Sequence, residues 1–368
     1  MRTFSHPGYK RFLLSVGCLL SIHFTALFFL TLFRLVFFFS ANYDFPDQEH
    51  VGFMSIWPAF IRGVWFDNVI ACYILLIPLV AVSISALFNY YGKILWNVTC
   101  IFFSLFYGIV LLVTAANIPY FQYFFKIINS SVFNWFGYMN TTAGMVFGET
   151  SYYPPLIGFL LTLVLFIWLM RRLIRHFQRL LNTKNPSVFW LDRIYIFLTA
   201  CICIGLCLFG IRGRTGYNPI KVSAAYYCTD PFLNQLGISP VFNLLSSTLD
   251  DSRKENRYLH LMPENEALEN TRHYLNRPGI EGISPIARQI NASDSLRRPN
   301  IVLIFMESMS AHLMKRFGQQ KELTPFLDSL YRQSLAFSNF YSSGIHTNHG
   351  MYATLYSFPS ILKRNAMK

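Results

Sequence analysis

Five long apolar segments constrain this chain more than any other feature. They run roughly over Phe12–Phe38, Trp65–Phe88, Ile94–Ala116, Pro154–Met170 and Ile194–Ile211. A bilayer core of about 30 Å takes about 20 consecutive apolar residues as a helix, and each segment approaches or exceeds that length. Only 13% of the 368 residues are charged, about half the usual share, and the shortage is concentrated in the first 211. The first segment is too long and uninterrupted for a cleavable leader, and no small-x-small cleavage site follows it. The sequence therefore predicts a five-helix transmembrane domain over residues 1–211.

Charge placement predicts the orientation. With the N-terminus cytoplasmic, the inner segments carry Arg2, Lys10, Arg11, Lys93, Arg171, Arg172, Arg175, Arg179, Lys184 and Arg193, whereas the short outer loops carry only Arg62 and Lys126. That asymmetry is a strong positive-inside signal, and five spans place everything after about residue 212 outside the membrane. The net charge of +13 then reports topology, and a nucleic-acid partner is disfavoured because the basic residues sit where anionic headgroups are.

Six of the seven cysteines (Cys18, Cys72, Cys100, Cys201, Cys203, Cys207) fall in the spans, and Cys228 is alone outside them, so no extracytoplasmic disulfide framework is expected. Cys201-x-Cys203 has a metal-like spacing, but its mid-span position favours packed or lipid-facing small residues. The aromatic runs Tyr120–Lys126 and Phe133–Tyr138 read as interfacial belts, with a lipid-holding surface as the sharper reading. Arg34 and Asp67 lie near predicted span ends, where they can snorkel. Without intramembrane charge clusters or an inverted repeat, a transporter is disfavoured.

Residues 212–298 read as a juxtamembrane helical linker. Arg212-Gly213-Arg214 should meet headgroups, and residues 231–247 alternate apolar patches with turn residues, as short membrane-lying helices do. From Asp250 to Tyr274 the composition turns charged and helix-forming, and Pro278-Gly279, Gly282 and Ser284-Pro285 mark a loop. Asn291-Ala292-Ser293 is a sequon, a pattern common by chance.

From Arg298 onward the pattern is α/β. Ile301–Met306 is a continuous apolar run after a proline, the signature of a central parallel strand. Thr324-Pro325 predicts an N-cap and first helical residue, with Asp328 in the first turn. Ala336–Tyr341 alternates as a second strand. The turn Ser342–Gly344 then leads to Thr347, placed to cap or begin a helix through Met351–Tyr356.

Two residues in this region carry chemistry. Ligands of open α/β sheets collect at the carboxyl ends of strands, where Glu307 stands beside Ser308 and Ser310. A carboxylate there needs a partner. Metal coordination supplies one; capping of the next helix or pairing with an arginine are the bland readings. Thr347 is a poor nucleophile until a cation coordinates its oxygen, and a helix N-terminus adds partial positive charge. An ordinary threonine N-cap is its bland reading. His346, Asn348 and His349 flank Thr347 as candidate substrate-binding residues, with outer support and plain surface exposure left open for the histidines.

Taken in order, these pieces resemble the lipoteichoic-acid synthase family, membrane-anchored phosphoglycerol transferases of the alkaline-phosphatase/sulfatase superfamily. Asn300–Ser308 resembles the family's first strand with its metal-binding Glu, Thr324–Leu330 the following helix start, and Phe337–Tyr341 the second strand. Thr347 falls at the nucleophilic threonine. The resemblance implies five spans followed by the start of an α/β alkaline-phosphatase-like domain over residues 299–368. It implies Glu307 and Thr347 as metal ligands, with Mn²⁺ the expected ion and Mg²⁺ or Zn²⁺ possible. It also implies the bacterial plasma membrane, with the catalytic part extracytoplasmic.

The implied reaction moves a phosphoglycerol-type group from a membrane phospholipid to a glycan, glycolipid or polymer acceptor through a Thr347 intermediate. A phosphoethanolamine transferase shares the logic and is the first alternative; an inactive fragment serving as anchor or interaction protein is the second. No Cys-x-Pro-x-Arg occurs, which disfavours a formylglycine sulfatase. The residues around Thr347 depart from the best-known Gram-positive pattern, so the headgroup stays open. The family's later Asp-His ligands have no counterpart in 351–368. The expectation is an N-terminal fragment that is inactive alone.

Overall fold

The computed structural model describes residues 6–41, 53–181, 190–253, 262–276, 300–344 and 347–357. The chain divides into two units, Met1–Leu261 and Met262–Lys368.

In the first unit, five helices are long and apolar enough to cross a membrane: α1 (Pro7–Ser40), α2 (Trp57–Leu87), α3 (Lys93–Phe124), α5 (Tyr153–Leu181) and α6 (Trp190–Arg212), with a shorter α4 (Met139–Gly148) between the third and fourth. Each of the five expected segments falls on one of these helices, which are longer than the segments; α2 begins eight residues earlier, at Trp57, and stops one residue short, at Leu87. The added residues mix polar and aromatic side chains with aliphatic ones such as Ile61, Val64, Ile118 and Leu173. α3 continues past Ala116 through Asn117 and Pro119, because the Asn117 side chain is buried and accepts the Ile128 N–H at 3.0 Å. α5 continues past Met170 into an arginine-rich end that still buries Ile174 and Leu181 on one face. A span ends where lipid ends; a helix ends where its own hydrogen bonds do.

α1 and α2 form the centre. In their most apolar stretches 56% and 61% of residues are buried, against 11% and 17% in α5 and α6. The outer faces of α5 and α6 leave Leu161, Val164, Leu206 and Phe209 exposed, as helix faces toward lipid do, since lipid tails are as apolar as leucine.

Polar contacts tie the helix ends together and establish their alternation. At one end the Asp192 carboxylate, fully buried at the start of α6, meets His6 Nδ1 at 2.8 Å and accepts the Gly8 N–H at 3.3 Å. There it satisfies the start of α1, where backbone N–H groups lack helical partners. Arg11 donates from Nε and Nη2 to the Leu181 carbonyl at the end of α5, at 3.2 and 2.8 Å, and lies over the Tyr91 ring in the α2–α3 loop. The starts of α1 and α6 thus share one end with the finishes of α2 and α5.

At the other end α7 (Pro231–Leu236) and α8 (Pro240–Ser252) pack on the helices. Asp230 caps α7 by accepting the Leu233 N–H at 2.9 Å. Phe232 of α7 enters an aromatic cluster with Phe37 and Phe121, centroids 5.8 and 5.7 Å away. The expected belt Tyr120–Lys126 is therefore split: Tyr120 and Phe121 are buried in protein, whereas Tyr123 and Phe125 are exposed.

Arg34 and Asp67 require a correction. They do not snorkel; they form a buried ion pair at 2.5 Å, with 5% and 3% of their side chains exposed. Arg34 also donates through Nη1 to the carbonyls of Leu236 and Ile238, at 2.5 and 3.2 Å. Gly63 makes room for the guanidinium: a Cβ there would lie 2.1 Å from Arg34 Cζ.

The second unit holds α9 (Glu264–Leu275), α10 (Pro325–Gln333) and α11 (Thr347–Tyr356). α10 starts at the expected Thr324-Pro325, but the Thr324 hydroxyl turns to the Leu313 carbonyl and to Asp328, at 3.3 and 3.2 Å. Asp328 accepts the N–H groups of Lys315 and Arg316, so it organises the preceding loop. Neither expected strand forms a ladder: among the described residues there is no strand. Ile301–Met306 and Phe337–Tyr341 carry exposed apolar side chains. The α/β character read from the sequence is therefore not realised among the described residues. A parallel strand is stable when covered on both faces, and among the described residues these segments are largely open, with Phe305 against α11 the contact made by the first.

Candidate functional site

The arrangement around Glu307 and Thr347 is built by two close approaches. The segment leading to Glu307 passes α11 at Phe305, whose ring lies 3.0 Å from where a Cβ on Gly350 would sit. Glycine at 350 lets the helix approach the ring. The turn before α11 folds against His349 in the same way: a Cβ on Gly344 would fall 2.6 Å from His349 Nδ1. Ser342 and Ser343 close this turn by donating to the carbonyls of Gly344 and His349, at 2.5 and 3.3 Å.

These contacts bring Thr347, the first residue of α11, onto Glu307 from forty positions earlier. The Thr347 Oγ1 hydroxyl is shared between the two carboxylate oxygens, 3.0 Å from Oε1 and 2.9 Å from Oε2. Both side chains are exposed, so the pair is open to a ligand. Ser308, in the left-handed region at φ 54°, turns the chain sharply after Glu307 and donates to Oε1 at 3.4 Å. That positive φ in a non-glycine residue is uncommon and concentrates at functional turns.

Of the sequence-predicted residues, Glu307 and Thr347 are brought together. His349 is 6% exposed and packs under the turn. His346 lies outside the described residues, as does the side chain of Asn348. Sequence reasoning did not single out Phe305 and Gly350; the signal available was the glycine one turn into a helix beside a candidate nucleophile. Among the described residues no group of three or more His, Cys, Asp or Glu side chains converges as a metal site.

Five helices of membrane-spanning length suggest a membrane protein, and the same chain carries an exposed carboxylate–hydroxyl pair at a helix start. Residues 299–367 match the family model described as Sulfatase, which spans Glu307, Thr347 and the turn between them. The C-terminal part is thus similar to a sulfatase domain of the alkaline-phosphatase/sulfatase superfamily, and it is preceded by apolar helices of membrane-spanning length. No solved structure matches the chain.

Proposed function

We propose that this chain belongs to a membrane-anchored, metal-dependent transferase that moves a phosphoglycerol-type group from a phospholipid to an extracytoplasmic acceptor, with Thr347 as nucleophile. The observation that carries the reading is the Thr347 hydroxyl seated on both oxygens of Glu307.

Those oxygens also suit a divalent cation. Adjacent oxygen ligands about 2.1 Å from an octahedral ion lie about 3.0 Å apart, the separation found between Thr347 Oγ1 and Glu307. Glu307 and Thr347 would hold the ion, Mn²⁺ by the resemblance and Mg²⁺ or Zn²⁺ otherwise, as one part of its ligand set. When bound, it would stabilise the alkoxide and the charge developing on phosphate.

The chain's own residues supply the rest of the reading. Glu307 faces the Thr347 hydroxyl and stands where its proton departs. Thr347 Oγ1 bonds to phosphorus as the bond to the diacylglycerol oxygen breaks; that oxygen takes a proton from water and diacylglycerol leaves. An acceptor hydroxyl then displaces Thr347 from the phosphoryl group. His346, Asn348 and His349 surround the nucleophile in sequence; the buried His349 suits support of the turn. Attachment to membrane helices keeps the site beside its lipid donor, on the outer face of the plasma membrane with the N-terminus inside.

The test uses membranes from cells expressing the protein from its own locus, supplied with headgroup-labelled phosphatidylglycerol. The expected result is a phosphoglycerol increment on the Thr347 peptide by mass spectrometry, absent in Thr347→Ala and reduced in Glu307→Gln. An ethanolamine-phosphate increment would move the reading to phosphoethanolamine transfer. No adduct and no transfer in the unmodified protein would leave an anchor without this chemistry.

A further inference from the structure

The last of the membrane-length helices, α6, is lightly held, and its main contact with the centre is made against α2. Two thiols meet in that contact. Cys207 Sγ of α6 donates to the Cys72 carbonyl of α2 at 3.3 Å, and the two thiols are also hydrogen-bond partners of each other. Gly210, one turn further along α6, seats the Cys72 side chain: a Cβ there would fall 2.5 Å from Cys72 Sγ. Both cysteines are buried, and both are free thiols.

Two thiols facing each other across two helices differ from one cysteine filling a gap. Helices packed through larger side chains keep their axes about 8–10 Å apart, whereas a disulfide needs Cα atoms about 4.4–6.8 Å apart. Small residues permit the closer approach, and Gly210 supplies one beside the pair. Rotation about the Cα–Cβ bond of Cys207 moves its sulfur from the Cys72 carbonyl toward the Cys72 sulfur. The bond would join residues 135 positions apart and tie the lightly held helix to the centre.

The surroundings restrict the oxidant. Both cysteines lie within membrane-length helices, where a water-soluble exchange protein does not reach. They also line an apolar crevice of about 400 Å³ between α1, α2 and α6, through which a small apolar molecule gains access. Phe24 and Leu206 on its walls are exposed, so the route opens sideways, toward lipid in a membrane.

We propose that Cys72 and Cys207 form a reversible disulfide that fixes α6 to α2, with a lipid-soluble quinone as the oxidant. Two S–H bonds break and one S–S bond forms. Two electrons and two protons pass to the quinone, which leaves as the hydroquinone. The proposal goes beyond the Thr347 reading and stands without it.

The test places the full chain in phosphatidylcholine vesicles with duroquinone, whose fully methylated ring resists thiol addition, and in parallel with diamide, a permeant thiol oxidant. After quenching with N-ethylmaleimide, digestion without reductant is expected to yield a peptide pair joined through Cys72 and Cys207 and released by dithiothreitol. Oxidation should raise the unfolding temperature by several degrees, as closing a long loop does, and dithiothreitol should reverse the rise. Cys207→Ala should lose both effects; Cys72→Ala serves if that variant fails to fold. Cys203→Ala, one turn away on the same wall, should keep both. Failure of both oxidants to join the pair in the unmodified chain would overturn the site. Joining by diamide but not by duroquinone would overturn the quinone assignment. A joined pair with an unchanged unfolding temperature would overturn the fixing of α6.

Discussion

Arg34 and Asp67 offer the sharpest test of how the membrane unit holds together. Asp67→Asn leaves a buried guanidinium without its counter-charge, its partners reduced to neutral oxygens such as Leu236 O and Ile238 O. Arg34→Met strands both the Asp67 carboxylate and those carbonyls. Removing one member of a buried pair costs about 3–5 kcal/mol, because the remaining charge is uncompensated. Each orphaned carbonyl adds about 1–3 kcal/mol. Arg34→Met should therefore be the worse single change. The double change Arg34→Met/Asp67→Leu orphans only the carbonyls and should be less damaging than Arg34→Met alone. Gly63→Ala should resemble Arg34→Met, since its Cβ would occupy the guanidinium position. The assay is denaturant unfolding of the purified chain in mild detergent, paired with protease accessibility of α7 and α8, which the Arg34 bonds tie to α1. If the double change costs the sum of Arg34→Met and Asp67→Leu measured singly, the two residues are not coupled and the reading of a buried ion pair is wrong.

Three further outcomes follow from geometry. Gly344→Ala should push His349 out of its buried seat and loosen the start of α11, read as faster hydrogen exchange at residues 347–350 and lower adduct formation at Thr347; unchanged exchange would refute the close approach. Asp192→Ala removes the cap on α1 and the partner of His6 and should destabilise the unit by about 1–2 kcal/mol, seen as an earlier unfolding midpoint. In a background with Cys228 replaced by serine, Glu266→Cys should react with a membrane-impermeant maleimide added outside intact cells and Arg175→Cys should not; the reverse pattern would invert the topology.

The membrane helices were legible because their signal is local: a continuous apolar run reports a span from its own residues. What escaped is what depends on distant partners. Arg34 looked like a snorkelling end residue because Asp67 lies 33 positions away and the receiving carbonyls 202 and 204 away. Asn117 and Pro119 looked like the end of a span, since nothing nearby announces that Ile128 will satisfy the asparagine inside the fold. Apolarity locates lipid-crossing stretches, while buried polar groups determine where helices stop and how they register, and these are paired across the sequence.

The same division governs the candidate site. Glu307 and Thr347 were identified as residue types in a recognisable order, and their meeting depends on two glycines whose missing Cβ atoms admit Phe305 and His349. Their rigidity is a separate matter. Ile301, Val302 and Ile304, just ahead of Glu307, are 87%, 81% and 76% exposed. Apolar side chains that open to water do not hold a carboxylate within the fraction of an ångström that transition-state stabilisation requires. On the proposed reading, the precision of the pair comes from whatever covers that apolar segment. Catalytic competence and burial of Ile301–Ile304 should therefore rise together, since the hydrophobic contact that stabilises the segment also positions Glu307.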